Sequence, residues 1–126
     1  MNMQISPMLI KLFLIMLGQT AVQALSQVTL KMGMQAINGF TWTWNCICHQ
    51  IFLNGWLLLA ILLIIVANVI WFLVLKYFPL TYAYPLTALG FVFGMIAGIF
   101  ILHETVVWTQ WVGVALIVGG CFFLLR

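Results

Sequence analysis

Phe52–Tyr77 reads FLNGWLLLAILLIIVANVIWFLVLKY, and no charged side chain interrupts it before Lys76. A helix crosses the hydrocarbon core of a bilayer with about 20 apolar residues. This stretch is therefore a membrane span by length and composition together. Asn68, deep inside it, is read as a hydrogen-bond donor to a neighbouring helix.

Working outward, the rest of the chain has the same character. Hydrophobic residues make up 67% of the 126 residues and charged ones 4%, against roughly 25% charged in an ordinary globular domain. Four Lys/Arg and one Glu cannot cover a soluble domain of this size. The expectation is an all-α integral membrane protein: a single domain over 1–126 with four transmembrane helices, at about 8–32, 52–77, 79–102 and 106–125. The connection from Gly33 to Ile51 carries Phe40, Trp42 and Trp44, with Phe52 just beyond, and suggests an interfacial segment with rings at headgroup depth. It has too few charges for a strongly amphipathic surface helix. Leu102–Thr105 is read as a tight turn that makes the last two spans an antiparallel hairpin.

Several function classes drop out. A net charge of +3 is too sparse for a nucleic-acid surface. Cys46, Cys48 and Cys121 imply no disulfide framework, and Cys46-Ile-Cys48-His49 lacks a fourth ligand for a structural zinc site. No metal, cofactor or enzymatic nucleophile–base pair is expected. Without a basic n-region or a clear cleavage site, the first apolar run is read as a retained helix. Lys11, Lys76 and Arg126 fall on one side of a four-span topology and Lys31 on the other, which places both termini in the cytoplasm.

The polar residues inside the spans carry the functional reading, because lipid penalises them. Gln19, Gln23 and Gln27 recur every four residues, with Ser26 beside them, inside roughly a 100° sector of the first helix. Lys31 extends that stripe by one turn. It is expected to line a substrate path. Gly90, Gly94 and Gly98 form two consecutive G-x-x-x-G steps, a surface for close helix packing. Ala115 and Gly119 give the fourth span a second small-residue face, and together these faces predict a dimer. Tyr82 and Tyr84 sit with Pro85 in the first turns of the third span, where Pro85 should kink the helix. A kink near a binding site is a recurring transporter device. Glu104, the only carboxylate side chain, is placed to cap the fourth helix, to pair with Lys31, or both.

Trp71–Leu75, Ala83-Tyr-Pro-Leu86, His103-Glu104 and Gln110–Gly120, together with Ser26–Lys31, resemble the four-helix branch of the drug/metabolite transporter superfamily, with its small multidrug resistance/EamA-like bundle. Within that branch, the Ala-Tyr-Pro and His-Glu elements are most similar to the paired subunits that flip 4-amino-4-deoxy-L-arabinose-phosphoundecaprenol. The resemblance implies a subunit of a lipid-linked sugar flippase in a bacterial inner membrane, working as a homodimer or with a related four-helix chain. Its substrate would be a polyprenyl-phosphate-linked sugar: Lys31 would meet the phosphate, Glu104 would orient Lys31 or touch the headgroup, and the glutamines would meet sugar hydroxyls. Small multidrug-resistance exporters share the fold but carry an essential glutamate in the first span. Aligned on Lys31, that position is Gln23, an amide that cannot release a proton near neutral pH. A cation exporter with other coupling and an accessory subunit without transport activity are the competing expectations.

Overall fold

A computed structural model describes residues 5–37 and 42–125; Phe40 and Arg126, expected at the interface and among the cytoplasmic cations, lie outside them. The described chain is an all-helical bundle: α1 (Ile5–Gln35), α2 (Trp44–Leu53), α3 (Gly55–Tyr77), α4 (Leu80–Leu86), α5 (Leu89–Phe100) and α6 (Trp108–Leu125). With 31 residues, α1 is about 46 Å long at 1.5 Å per residue, well beyond a hydrocarbon thickness of about 30 Å. α3, and α4 with α5 as one rod, are also long and apolar enough to cross; α6 is a shorter apolar helix.

α1 is the central element, flanked by α3 and α5. Its hydroxyl side chains are accommodated by bonding back to their own helix. Thr20 Oγ1 donates to the Met16 carbonyl (2.7 Å) and Thr29 Oγ1 to the Ser26 carbonyl (2.9 Å). Such local bonds are what allow hydroxyls inside an apolar bundle.

α3 runs antiparallel to α1 and buries Leu57, Ala60, Ala67 and Val74. Ala60 and Ala67 have no exposed surface, so the backbones approach closely along this seam. At one end, a Cβ on Gly33 would lie 2.7 Å from Leu57 Cδ2 and 3.2 Å from its backbone nitrogen. At the other, Leu12 and Met16 meet Val74, Ala83 and Leu86 in the buried core. Asn54 closes the Gly33 end: its Nδ2 donates to the Gly33 carbonyl (2.9 Å), while its Oδ1 accepts from the Trp56 amide (3.2 Å) as the N-cap of α3. Loss of a cap together with one further hydrogen bond should make Asn54→Ala about 1–2 kcal/mol less stable. Denaturant titration in detergent would measure this, and an unchanged midpoint would remove Asn54 from the clasp.

The span expected over 79–102 is one rod with a tightened turn in it. Pro79 precedes the first helical residue as the N-cap, one position earlier than expected. Pro85 has no N–H to give, and past it the backbone switches to i→i+3 bonds. Thr87 N bonds to Tyr84 O (3.1 Å), Ala88 N to Pro85 O (3.1 Å) and Gly90 N to Thr87 O (2.9 Å), and Thr87 and Ala88 have dihedrals of the 3₁₀ type. From α6, Cys121 Sγ donates to the Pro85 carbonyl (3.3 Å).

Three other sequence expectations are corrected. The interfacial connection after α1 contains a helix, because its last eight residues, Trp44–Ile51, form α2 together with Phe52 and Leu53. The turn before α6 is wider than Leu102–Thr105. The Gly98 carbonyl accepts from the Glu104 amide (3.1 Å), and His103 turns the chain in the left-handed region at φ 54°. Glu104 does not cap α6. The side chain of Gln110 does so, its Oε1 accepting from the Val107 amide (2.8 Å) as the returning arm of a capping box.

The polar groups sort to the two ends. Lys11 and Tyr77 line one surface pocket, and the Lys76 ammonium lies 5.4 Å from the Tyr77 ring centre. Lys31 and Glu104 lie at the opposite end, with α2 and its exposed Trp44 and Phe52.

Candidate functional site

The parallel packing of α1 against α5 leaves a groove of about 490 Å³ walled by Gln23, Ala24, Gln27, Thr87, Gly90, Phe91, Gly94 and Met95. Its shape follows from glycine. A Cβ at Gly90 would meet Thr20 at 3.9 Å, while one at Gly94 would meet nothing within 4 Å. At Gly90 that is only an ordinary contact, and at Gly94 the groove floor is open. Gln23 and Gln27 face this floor with neutral donors and acceptors on an otherwise apolar wall.

One turn beyond Gln27, Lys31 Nζ is ion-paired with Glu104 Oε1. Gly98 makes room for the pair, since a Cβ there would lie 3.1 Å from Glu104 Oε2. Both side chains are 46% exposed. A pair this open contributes little to stability, and its consequence is positional: the ammonium is held at the mouth of the groove. On the other flank of the α1–α5 contact lies a second groove of about 310 Å³. Ala21, Leu25, Phe93, Ile96 and Phe100 are among the side chains that line it, and its wall is almost wholly hydrocarbon.

The structure therefore brings Gln23, Gln27, Lys31 and Glu104 together with Gly90, Gly94 and Gly98. It does not bring in the other expected residues. Ser26 is fully buried and donates to the Gln23 carbonyl (2.6 Å). Gln19 is buried outside the groove, and its Oε1 has no hydrogen-bond partner among the described residues. Tyr82 and Tyr84 are exposed on α4, at the Lys11 end, where Tyr84 stands edge-on to Trp71 with centroids 6.1 Å apart. Gly119 has open space around it within the single chain. Among the described residues, no three His, Cys, Asp or Glu are grouped to hold a metal ion. Thr87, Phe91 and Met95 were not anticipated. Their spacing of four along the third span, beside the glycine stripe, is the available signal.

Three apolar helices long enough to cross a membrane, packed around a polar-edged groove, make this a multi-pass membrane protein. The comparisons sharpen this. Residues 8–126 match the EamA-like transporter family, and the chain belongs to that family. It is also similar to the probable 4-amino-4-deoxy-L-arabinose-phosphoundecaprenol flippase subunit ArnE of Enterobacter sp. (strain 638), 40% identical over 70 residues, covering 56% of this chain and 65% of the relative. The protein of the same description from Salmonella paratyphi A is 44% identical over 69 residues, covering 55% and 62%. That from Escherichia coli O45:K1 is 42% identical over 69 residues, with the same coverage. The matched stretch thus spans less than two thirds of these relatives. No solved structure matches the chain.

Proposed function

We propose that the chain is a subunit of an inner-membrane flippase for a polyprenyl-phosphate-linked sugar, a single four-helix domain working with a second copy or a related chain. The observation that carries this reading is the placement of Lys31 at the mouth of a groove edged by Gln23 and Gln27. The substrate has three parts, and each has a matching surface. A phosphodiester needs a cation where the dielectric is low, sugar hydroxyls need neutral donors and acceptors, and a prenyl chain needs hydrocarbon. Lys31, the glutamine pair and the apolar flank of α5 supply these in turn. With the termini cytoplasmic, Lys31 and Glu104 stand at the outer leaflet, where the headgroup would leave.

Glu104 gives the ion a way off as well as on. The phosphate must displace a carboxylate to reach Lys31, so binding is exchange between two anions and not capture by a bare ammonium. Groove and pair contain no carboxylate apart from Glu104, which argues against proton-for-cation exchange through the centre of α1.

Replacing both glutamines, Gln23→Leu with Gln27→Leu, removes two neutral hydrogen bonds at about 0.5–1.5 kcal/mol each. Affinity for undecaprenyl-phosphate-linked aminosugar in nanodiscs should then fall about tenfold or more. Undecaprenyl phosphate without the sugar should bind as before. Equal losses for both lipids would contradict the headgroup role. Proton-driven export of a quaternary ammonium dye by the wild-type chain would favour the cation-exporter reading.

A further inference from the structure

Of the described lysines, Lys31 is ion-paired with Glu104. Lys11 and Lys76 stand at the opposite end of the bundle without a carboxylate, because Glu104 is the only acidic side chain in the sequence. Lys11 lines an open pocket of about 550 Å³ with Leu14, Ile15, Tyr77 and Phe78. The Lys76 ammonium lies 5.4 Å from the ring centre of the same Tyr77. Two helices thus bring two ammonium groups to one aromatic ring at the membrane surface, and no acidic side chain at that end neutralises them.

Membrane topology by itself accounts for cations at this end. It does not account for the surface that leads away from Lys11. Lys11, Leu14, Gly18, Ala21 and Leu25 follow one another at steps of three and four, within about 80° of one face of α1. Leu14 is 62% exposed and Leu25 46%, and Gly18 between them is exposed as well. A Cβ on Gly18 would meet nothing within 4 Å. Glycine inside a helix costs about 1 kcal/mol against alanine, and no close packing within the chain offsets that here. Ala21 and Leu25 then form part of the hydrocarbon groove of about 310 Å³ against α5. One exposed face of α1 therefore starts at an unpaired ammonium, narrows at Gly18 and ends in an apolar groove.

The length of this face bears on its occupant. From Lys11 to Leu25 it rises about 21 Å at 1.5 Å per residue, whereas one leaflet supplies about 15 Å of hydrocarbon, half of about 30 Å. A tail that follows the whole face from a headgroup at Lys11 passes beyond its own leaflet, which suits a chain longer than an ordinary acyl tail. We infer that the Lys11–Lys76 end is an inner-leaflet docking site for the phosphate of a polyprenyl-phosphate lipid, its tail lying along Leu14, Gly18 and Ala21 into the α1–α5 groove. The site is separate from Lys31 and holds the lipid before its headgroup crosses. This rests on the flippase reading and its cytoplasmic termini, and it names where the substrate enters. Salt screens ammonium groups at the membrane surface, so overall affinity is governed by the Lys31 end and the docking site is read by position.

The test is photo-cross-linking of the full chain in nanodiscs. The probe is undecaprenyl phosphate with a diazirine in the isoprene unit next to the phosphate, and peptide mass spectrometry locates the label. Label is expected between Lys11 and Gly18. Lys11→Gln combined with Lys76→Gln should lower it about tenfold, and Gly18→Leu should lower it too, by filling the narrow point of the face. Label around Lys31, from lipid in the opposite leaflet, should persist in both variants. Label confined to the Lys31 end of the wild-type chain, or undiminished between Lys11 and Gly18 in the double variant, would overturn the docking site and leave the flippase reading standing. No label at either end would overturn both. Two further arms separate the sources of phosphate. Equal labelling by phosphatidylglycerol with a diazirine near its headgroup, or full displacement of the label by inorganic phosphate, would show a general anion contact and overturn the proposal.

Discussion

Lys31→Ala should weaken binding of undecaprenyl-phosphate lipids about 10- to 150-fold, whether or not they carry a sugar, because a hydrogen bond to a charged group contributes about 1.5–3 kcal/mol. The loss is common to both lipids because the phosphate, and not the sugar, is what the ammonium meets. It separates this residue from Gln23 and Gln27, whose replacement should discriminate between them. Lys31→Arg should keep most of the affinity, since the charge remains. Glu104→Gln should act in the opposite direction. Removing the competing carboxylate leaves Lys31 free for the phosphate, so binding should tighten while turnover slows. Isothermal titration or native mass spectrometry in nanodiscs would read all three variants. Affinity in Lys31→Ala equal to that of the wild type would remove the cation from the site.

The second large effect is structural. Gly33→Val should lower stability by about 1–3 kcal/mol through overpacking, because its Cβ would fall 2.7 Å from Leu57 Cδ2 and 2.9 Å from Leu57 Cγ. Leu57 is 4% exposed and has little room to turn aside, and its backbone nitrogen, at 3.2 Å, cannot. Gly18→Val is the matched control, since a Cβ at Gly18 meets nothing within 4 Å. Denaturation in detergent should separate the two variants clearly, and equal midpoints would show that Gly33 does not set the α1–α3 approach.

The helices were legible where the signal is composition. Phe52–Tyr77 could be nothing but a span, and the glutamine stripe marks the polar face of α1, of which Gln23 and Gln27 reach the groove while Gln19 is buried outside it. What stayed hidden depends on registers between helices, which no local pattern encodes. Gly33 reads as the start of a loop until Leu57 is placed against it. Asn68 reads as interhelical glue until it is seen exposed. α2 escaped notice because an interfacial helix is recognised by its charges, and Trp44–Leu53 has none beyond His49. Tyr82 and Tyr84 read as binding-site candidates because Pro85 beside them should kink the helix. Yet the third span begins at the end where the first span also begins, and Lys31 closes the first. Topology alone sets the tyrosines and the lysine a membrane thickness apart. Glu104 was correctly offered Lys31 as a partner, but the capping role fell to Gln110, whose side chain reaches back over one turn.

The most direct measurement is native mass spectrometry of the wild-type chain released from its own membrane in mild detergent, with the bound lipid identified by fragmentation. A polyprenyl-phosphate lipid carrying a sugar, present on the wild type and depleted on Lys31→Ala, is the predicted result. Phospholipid alone on both proteins, in the same proportions, would contradict it.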